Sequence, residues 1–162
     1  MFKEAFSTIA EWVLTYMLTS ISKRLYPDEK VAARVRIVLK DGVVSIPPND
    51  PLVRMTLEIR NTLASRIKLH SIHGDVWSEG YILINDFTKD LDESLDKHSD
   101  KSDYSITLDL PVAGANIAKN HRAETILLRL TGVLRFNAIG RELTRRVDTS
   151  MFVRLKGLHG DI

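Results

Sequence analysis

At 162 residues, 44% of them apolar and 27% charged, the chain is the size of one domain plus an appendage and has enough apolar residues to build a core, which excludes a disordered chain. Cysteine is absent, so disulfides, thiolate-held zinc, iron–sulfur clusters and cysteine nucleophiles are excluded together. The formal net charge of +2 conceals an asymmetry: residues 86–109 carry three Lys/Arg against eight Asp/Glu, and residues 110–162 carry nine against four.

From Phe2 to about Leu25 there is neither glycine nor proline, and Pro27-Asp28-Glu29 supplies a stop. Residues 1–27 are therefore predicted as one long amphipathic helix and residues 28–162 as a β domain. At 100° per residue, Phe2, Ala5, Phe6, Ile9, Ala10, Trp12, Val13, Leu14, Tyr16, Met17 and Ile21 fill one broad arc. Glu4, Ser7, Thr8, Glu11, Thr15, Thr19 and Ser22 fill the other; Leu18 and Ser20 fall on the wrong sides. Glu11, near the middle, costs about 2.5–3.5 kcal/mol inside a bilayer, which weighs against a membrane span. The pattern also lacks the basic start, short apolar core and small-residue cleavage site of a signal peptide. A helix lying in the membrane interface fits the broad apolar arc and the Trp12/Tyr16 pair, although the polar arc is acidic and hydroxylated, with basic charge only at Lys3, Lys23 and Arg24. The other reading packs the arc on the chain's own β domain or on a second copy. Phe2, Phe6, Ile9, Trp12, Val13, Tyr16 and Met17 are the candidate membrane- or partner-binding residues.

Period-two alternation then takes over. Val31, Ala33, Val35, Ile37 and Leu39 predict a strand, Asp41-Gly42 a turn, and Val43 to Ile46 a second short strand stopped by Pro47 and Pro48. Val53, Met55, Leu57 and Ile59 give the clearest strand. Further strands are predicted from Ile67 to Trp77 with a bulge at Gly74, from Gly80 to Asp86, and from Tyr104 to Leu110. Residues 123–136 form a β-rich run broken by Gly132, and residues 142–155 a last pair of strands or one bent strand. Residues 86–103 read as an exposed acidic loop or loose helical turn, and residues 113–123 as a short helix crossing between sheets. Some eight short strands without long intervening helices predict a mainly β fold, an antiparallel immunoglobulin- or fibronectin-like β-sandwich.

Five stretches carry a family resemblance: LEIRN ending at Asn61, IKLHSIHGDVW running on to SEGYI with Gly80, SITLDLPV, LRLTGVLRF with Gly132, and DTSMFVRL. Over roughly residues 31–157 they resemble the water-stress and hypersensitive-response (WHy) domain of the late embryogenesis abundant group-two family. Thr62 follows Asn61 where that family typically has proline. The resemblance implies a fibronectin-like sandwich and a non-enzymatic protein, tied to membranes through an N-terminal hydrophobic segment and associated with stress protection or partner binding.

Chemistry is sparse. Neither GxGxxG nor GxxxxGK[ST] occurs, which argues against a phosphate-cradling loop. His70 and His73 could share a metal only if a bulge turned them to one side. Asp90, Asp92, Glu93, Asp96, Asp100 and Asp103 are the best calcium candidates, but Lys97 stands where a calcium loop starting at Asp92 needs glycine, and Lys89 and Lys101 weaken the local field. Ser71 lies between the histidines without a nucleophile elbow. No catalytic residues, metal site or cofactor are therefore assigned. Arg34, Arg36 and Lys40, with Arg54 and Arg60 on a later strand and Arg141, Arg145 and Arg146 beyond, would make a basic face if those strands were neighbours. Glu58 and Glu142 sit among them and no aromatic residue interleaves, so a mixed-charge face is favoured over a nucleic-acid surface. The sequence thus predicts a non-catalytic, cytoplasmic or membrane-associated β-sandwich that engages a protein partner, a second copy or a membrane surface through its helix. A carrier of lipid or small apolar ligands and a phosphate-backbone binder are the alternatives.

Overall fold

The computed structural model describes residues 2–47, 49–98, 100–121 and 123–157, with side chains described from Val13 onward apart from those of Thr19 and Asp100. Helix α1 spans Phe2–Leu25 and is followed, across Tyr26-Pro27, by the short helix α2, Asp28–Ala32. Strands β1 (Val35–Ser45), β2 (Leu52–Asn61), β3 (Ile67–Ser78), β4 (Tyr81–Leu95) and β5 (Asp100–Asp109) precede helix α3 (Val112–Lys119). Strands β6 (Thr125–Ala138) and β7 (Arg141–Lys156) follow.

The mainly β character holds, but the expected antiparallel two-sheet sandwich does not describe the connectivity. All seven strands form one hydrogen-bonded sheet in the order β4-β3-β6-β7-β1-β2-β5. Neighbours pair antiparallel except β1 and β7, which run parallel with Val43, Val44 and Ser45 opposite Arg154, Leu155 and Lys156. The sheet curls until its two edges approach, as the Ser102 hydroxyl of β5 donating to Glu93 of β4 (3.2 Å) shows, so it is nearly closed into a barrel. Strand closure and twist place alternate side chains inside. Val53, Met55, Leu57 and Ile59 of β2, Ile106 of β5, and Leu128, Leu130, Leu134 and Phe136 of β6 are all fully buried there.

Three local expectations change. Val31 and Ala33 do not begin a strand: after Pro27, Asp28 and Glu29 start a helical turn that buries Val31 and Ala32 side by side, and β1 begins at Val35. Asp41-Gly42 is not a hairpin turn but a bulge, with the register against β2 slipping between Leu39 and Asp41 while the strand continues. Residues 86–103 are not an acidic loop, because β4 extends through Leu95 and β5 starts at Asp100. Leu83, Ile84, Phe87 and Leu95 point into the core at irregular spacing, since Asp86 (φ 58°) and Asp92 (φ 40°) break the alternation. The predicted helix near residues 113–123 is α3; it lies against β4, where a Cβ on Gly114 would stand 2.2 Å from the Leu83 carbonyl oxygen.

Candidate functional site

The predicted site residues divide between described and undescribed side chains. Those of Phe2, Phe6, Ile9 and Trp12 lie outside the described residues. Val13, Tyr16 and Met17 are exposed, and so are Leu14, Leu18, Ile21 and Leu25, over a range from 42% to 68%. None of these side chains is buried in the barrel, so this stretch of α1 does not cover its own domain. Leu18 and Leu25 also widen the apolar arc beyond the one drawn from the sequence. Among the described residues, no helix is long and apolar enough to cross a membrane.

The base of α1 is fixed to the barrel. Arg141, at the start of β7 and only 9% exposed at its side chain, donates from Nη1 to Asp28 Oδ1 (2.7 Å) and from Nη2 to the Tyr26 carbonyl (2.8 Å). The Thr62 amide and hydroxyl both donate to the Arg34 carbonyl (3.1 and 2.7 Å). Arg141, expected on a basic face, is therefore the clamp between the helical arm and the β6–β7 hairpin. Beside this junction Leu25, Tyr26, Lys30, Arg34, Leu63 and His98 contribute to an open groove of about 450 Å³.

The residues that carry the family resemblance prove to be architectural. Asn61 is fully buried; its Nδ2 donates to the carbonyls of Ser65 (2.8 Å) and Asp96 (2.7 Å), and its Oδ1 accepts the Leu63 amide (3.0 Å). One side chain thus ties the β2–β3 turn to the end of β4, and the His98 amide reinforces it by donating to the Leu63 carbonyl (2.9 Å). Gly74 and Gly132 face one another across β3 and β6, and a Cβ on either would lie 2.1 Å from the opposing strand's carbonyl oxygen. Gly74 is therefore a point of close strand approach as well as a neighbour of register slips.

The Asp100 side chain lies outside the described residues, and the other candidate metal residues are spread over the outer face. Asp92 pairs with Lys68 (3.2 Å), Asp96 with Arg66 (3.3 Å) and Asp103 with Lys40 (2.6 Å). His73 faces Thr88 and Asp86, while His70 lies in a separate groove with Asp90, Asp92 and Glu142. Among the described residues, no group of three or more His, Asp or Glu side chains is placed to hold a metal ion.

The basic residues do lie on neighbouring strands, with Arg36 opposite Arg60 and Val43 opposite Arg54. Carboxylates interrupt them: Glu58 takes Arg60 (3.2 Å) and Lys101 (3.5 Å). The hydrogen bond and charge of Asp103 raise the pKa of Lys40. Arg129 holds the Asp148 carboxyl below its usual range, chiefly by hydrogen bonding, and Arg135 does the same for Glu142. Most of the outer face is therefore a lattice of exposed ion pairs.

No protein-family model and no curated protein sequence matches the chain. Solved structures do. A solution structure assigned to the late embryogenesis abundant (LEA) proteins superposes with a TM-score of 0.58 at 16% identity, covering 94% of this chain and 92% of the other. An Arabidopsis thaliana solution structure gives 0.54 at 16% identity over 78% and 82%. The X-ray structure of a Northeast Structural Genomics Consortium target gives 0.53 at 13% identity over 80% and 93%. The barrel of this chain accordingly has the WHy/LEA-like fold that its strand motifs resemble.

Proposed function

We propose that this chain is a non-catalytic, stress-related LEA-fold module that docks on a membrane surface through α1. The observation that carries the reading is the exposure of Val13, Leu14, Tyr16, Met17, Leu18, Ile21 and Leu25 on a helix whose base is clamped. Burying the remaining exposed half of each such side chain is worth about 1 kcal/mol, so together they supply a binding energy of several kcal/mol. Lys23, Arg24, Lys30 and Arg34 are exposed around the base of the helix, against Glu29 and the already paired Asp28. That basic collar suits anionic headgroups, and Tyr16 and Tyr26 suit the interfacial depth.

Flotation of the full chain with vesicles containing phosphatidylglycerol tests this reading. The wild type should rise with the vesicles, and the Leu14→Ser, Met17→Ser, Ile21→Ser triple variant should stay behind with an unchanged melting temperature. A wild type that remains at the bottom removes the membrane reading, and sedimentation of that same sample then shows whether a second copy covers the face instead.

A further inference from the structure

A second site lies well along the barrel from the helix base, where β2, β1 and β7 run side by side. Val43 of β1 sits between Arg54 of β2 and Arg154 of β7 in adjacent pairing positions. The two arginines are thus separated by two strand spacings, roughly 9–10 Å between backbones. Lys156 follows two residues on along β7, opposite Ser45, and points to the same side. All three cations are exposed, and among the described residues none makes an ion pair, unlike Lys40, Lys68, Arg129 and Arg135 elsewhere on the outer face. Arg154 and Lys156 project from one side of β7 and Arg54 stands two strands away on the same face, so the patch concentrates positive charge that a bound anion would neutralise.

The groove they line holds about 500 Å³. Its single carboxylate, Asp41, is engaged by the Gly42 amide (2.7 Å) and leaves a net charge of +2 from the four groups. Its wall carries Phe152, which is 69% exposed and precedes Arg154 by two residues on the same side of β7. An exposed aromatic ring beside two guanidinium groups is a stacking platform next to a phosphate fork. From the sequence no aromatic interleaved with the basic residues; the bulge at Asp41 and the parallel pairing of β1 with β7 bring this one in.

We infer that this groove binds a phosphate monoester carrying a flat ring, with Arg54, Arg154 and Lys156 holding the phosphate and Phe152 stacking on the ring. The site is independent of α1 and of membrane docking.

Titration of the isotope-labelled full chain at low salt, followed by amide chemical shifts, tests it with two probes: inorganic phosphate and adenosine 5′-monophosphate. Both should saturate with shifts centred on Gly42, Val43, Arg54 and Arg154, and the nucleotide should bind at least about threefold tighter. Phe152→Ala should erase that difference and leave inorganic phosphate unchanged. Arg154→Ala should weaken both at least about tenfold, while Lys68→Ala, on another part of the face, changes neither. Absence of saturation, or shifts spread evenly over the exposed cations, overturns the site. Equal affinity for the two probes in the wild type overturns the stacking role of Phe152.

Discussion

Replacing Asn61 by alanine removes a side chain that satisfies three main-chain groups at once, the Leu63 amide and the carbonyls of Ser65 and Asp96. Each buried polar group left without a partner costs about 1–3 kcal/mol. Ser65 and Asp96 lie in turns where water can replace part of the loss, so the net cost settles near 3 kcal/mol. With a urea m-value of about 1.5–2 kcal/mol/M, the unfolding midpoint should fall by about 1.5–2 M with m unchanged. Asn61→Asp sharpens the test, because its second oxygen would face the two carbonyls that Nδ2 now serves. That carboxyl would have a raised pKa in the folded state, so the folded protein binds the proton more tightly than the unfolded chain does. The variant is therefore less destabilised in acid and loses stability as pH rises toward neutrality. Chemical denaturation at pH 7 should rank wild type above Asn61→Ala and Asn61→Asp lowest, with the two variants converging near pH 4. An Asn61→Ala midpoint within about 0.3 M of wild type would refute the claim that this side chain locks the two turns together.

The remaining expectations concern glycines and acid. Gly74→Ala or Gly132→Ala drives a methyl to 2.1 Å from an opposing carbonyl oxygen and should cost at least about 3 kcal/mol, whereas Gly80→Ala (φ 88°), with nothing within 4 Å, should cost only about 1 kcal/mol. Equal melting temperatures for the Gly74 and Gly80 variants would contradict that ranking. Glu142 and Asp148 have depressed folded-state pKa values through Arg135 and Arg129, so the stabilisation they give is present above their unfolded values and is lost as pH falls through the folded ones. The urea midpoint should therefore decline below about pH 4. In an Arg129→Ala, Arg135→Ala double variant the acid slope should flatten, and an unchanged slope would remove these pairs from the account of acid sensitivity.

Strands buried on one face and free of bulges were legible in the sequence. β2 alternates without interruption from Val53 to Asn61 because it lies between β1 and β5 in unbroken register with β5. β4 was not legible. It is an edge strand whose outer positions carry Lys89, Asp90, Asp92 and Glu93, and left-handed residues at Asp86 and Asp92 shift the phase of its inward side chains. Charge and irregularity of this kind protect an open edge from pairing with other chains, and they also erase the period that marks a strand. The distinction between a sandwich and a nearly closed barrel was out of reach too, because the parallel β1–β7 contact joins segments that no local pattern connects. The helix face was readable as a surface, but its exposure depends on how Arg141 and Thr62 fix the junction. The phosphate groove combines residues from three strands and shows no motif in any one of them.

The parallel pairing of β1 with β7 also bears on synthesis. The Leu39 amide donates to the Thr149 hydroxyl, 110 positions further along the chain, so one flank of β1 stays without its partner until almost the whole barrel has left the ribosome. Closing so long a loop late makes folding slow relative to hairpin formation and leaves β1 open to the wrong neighbour in the interval.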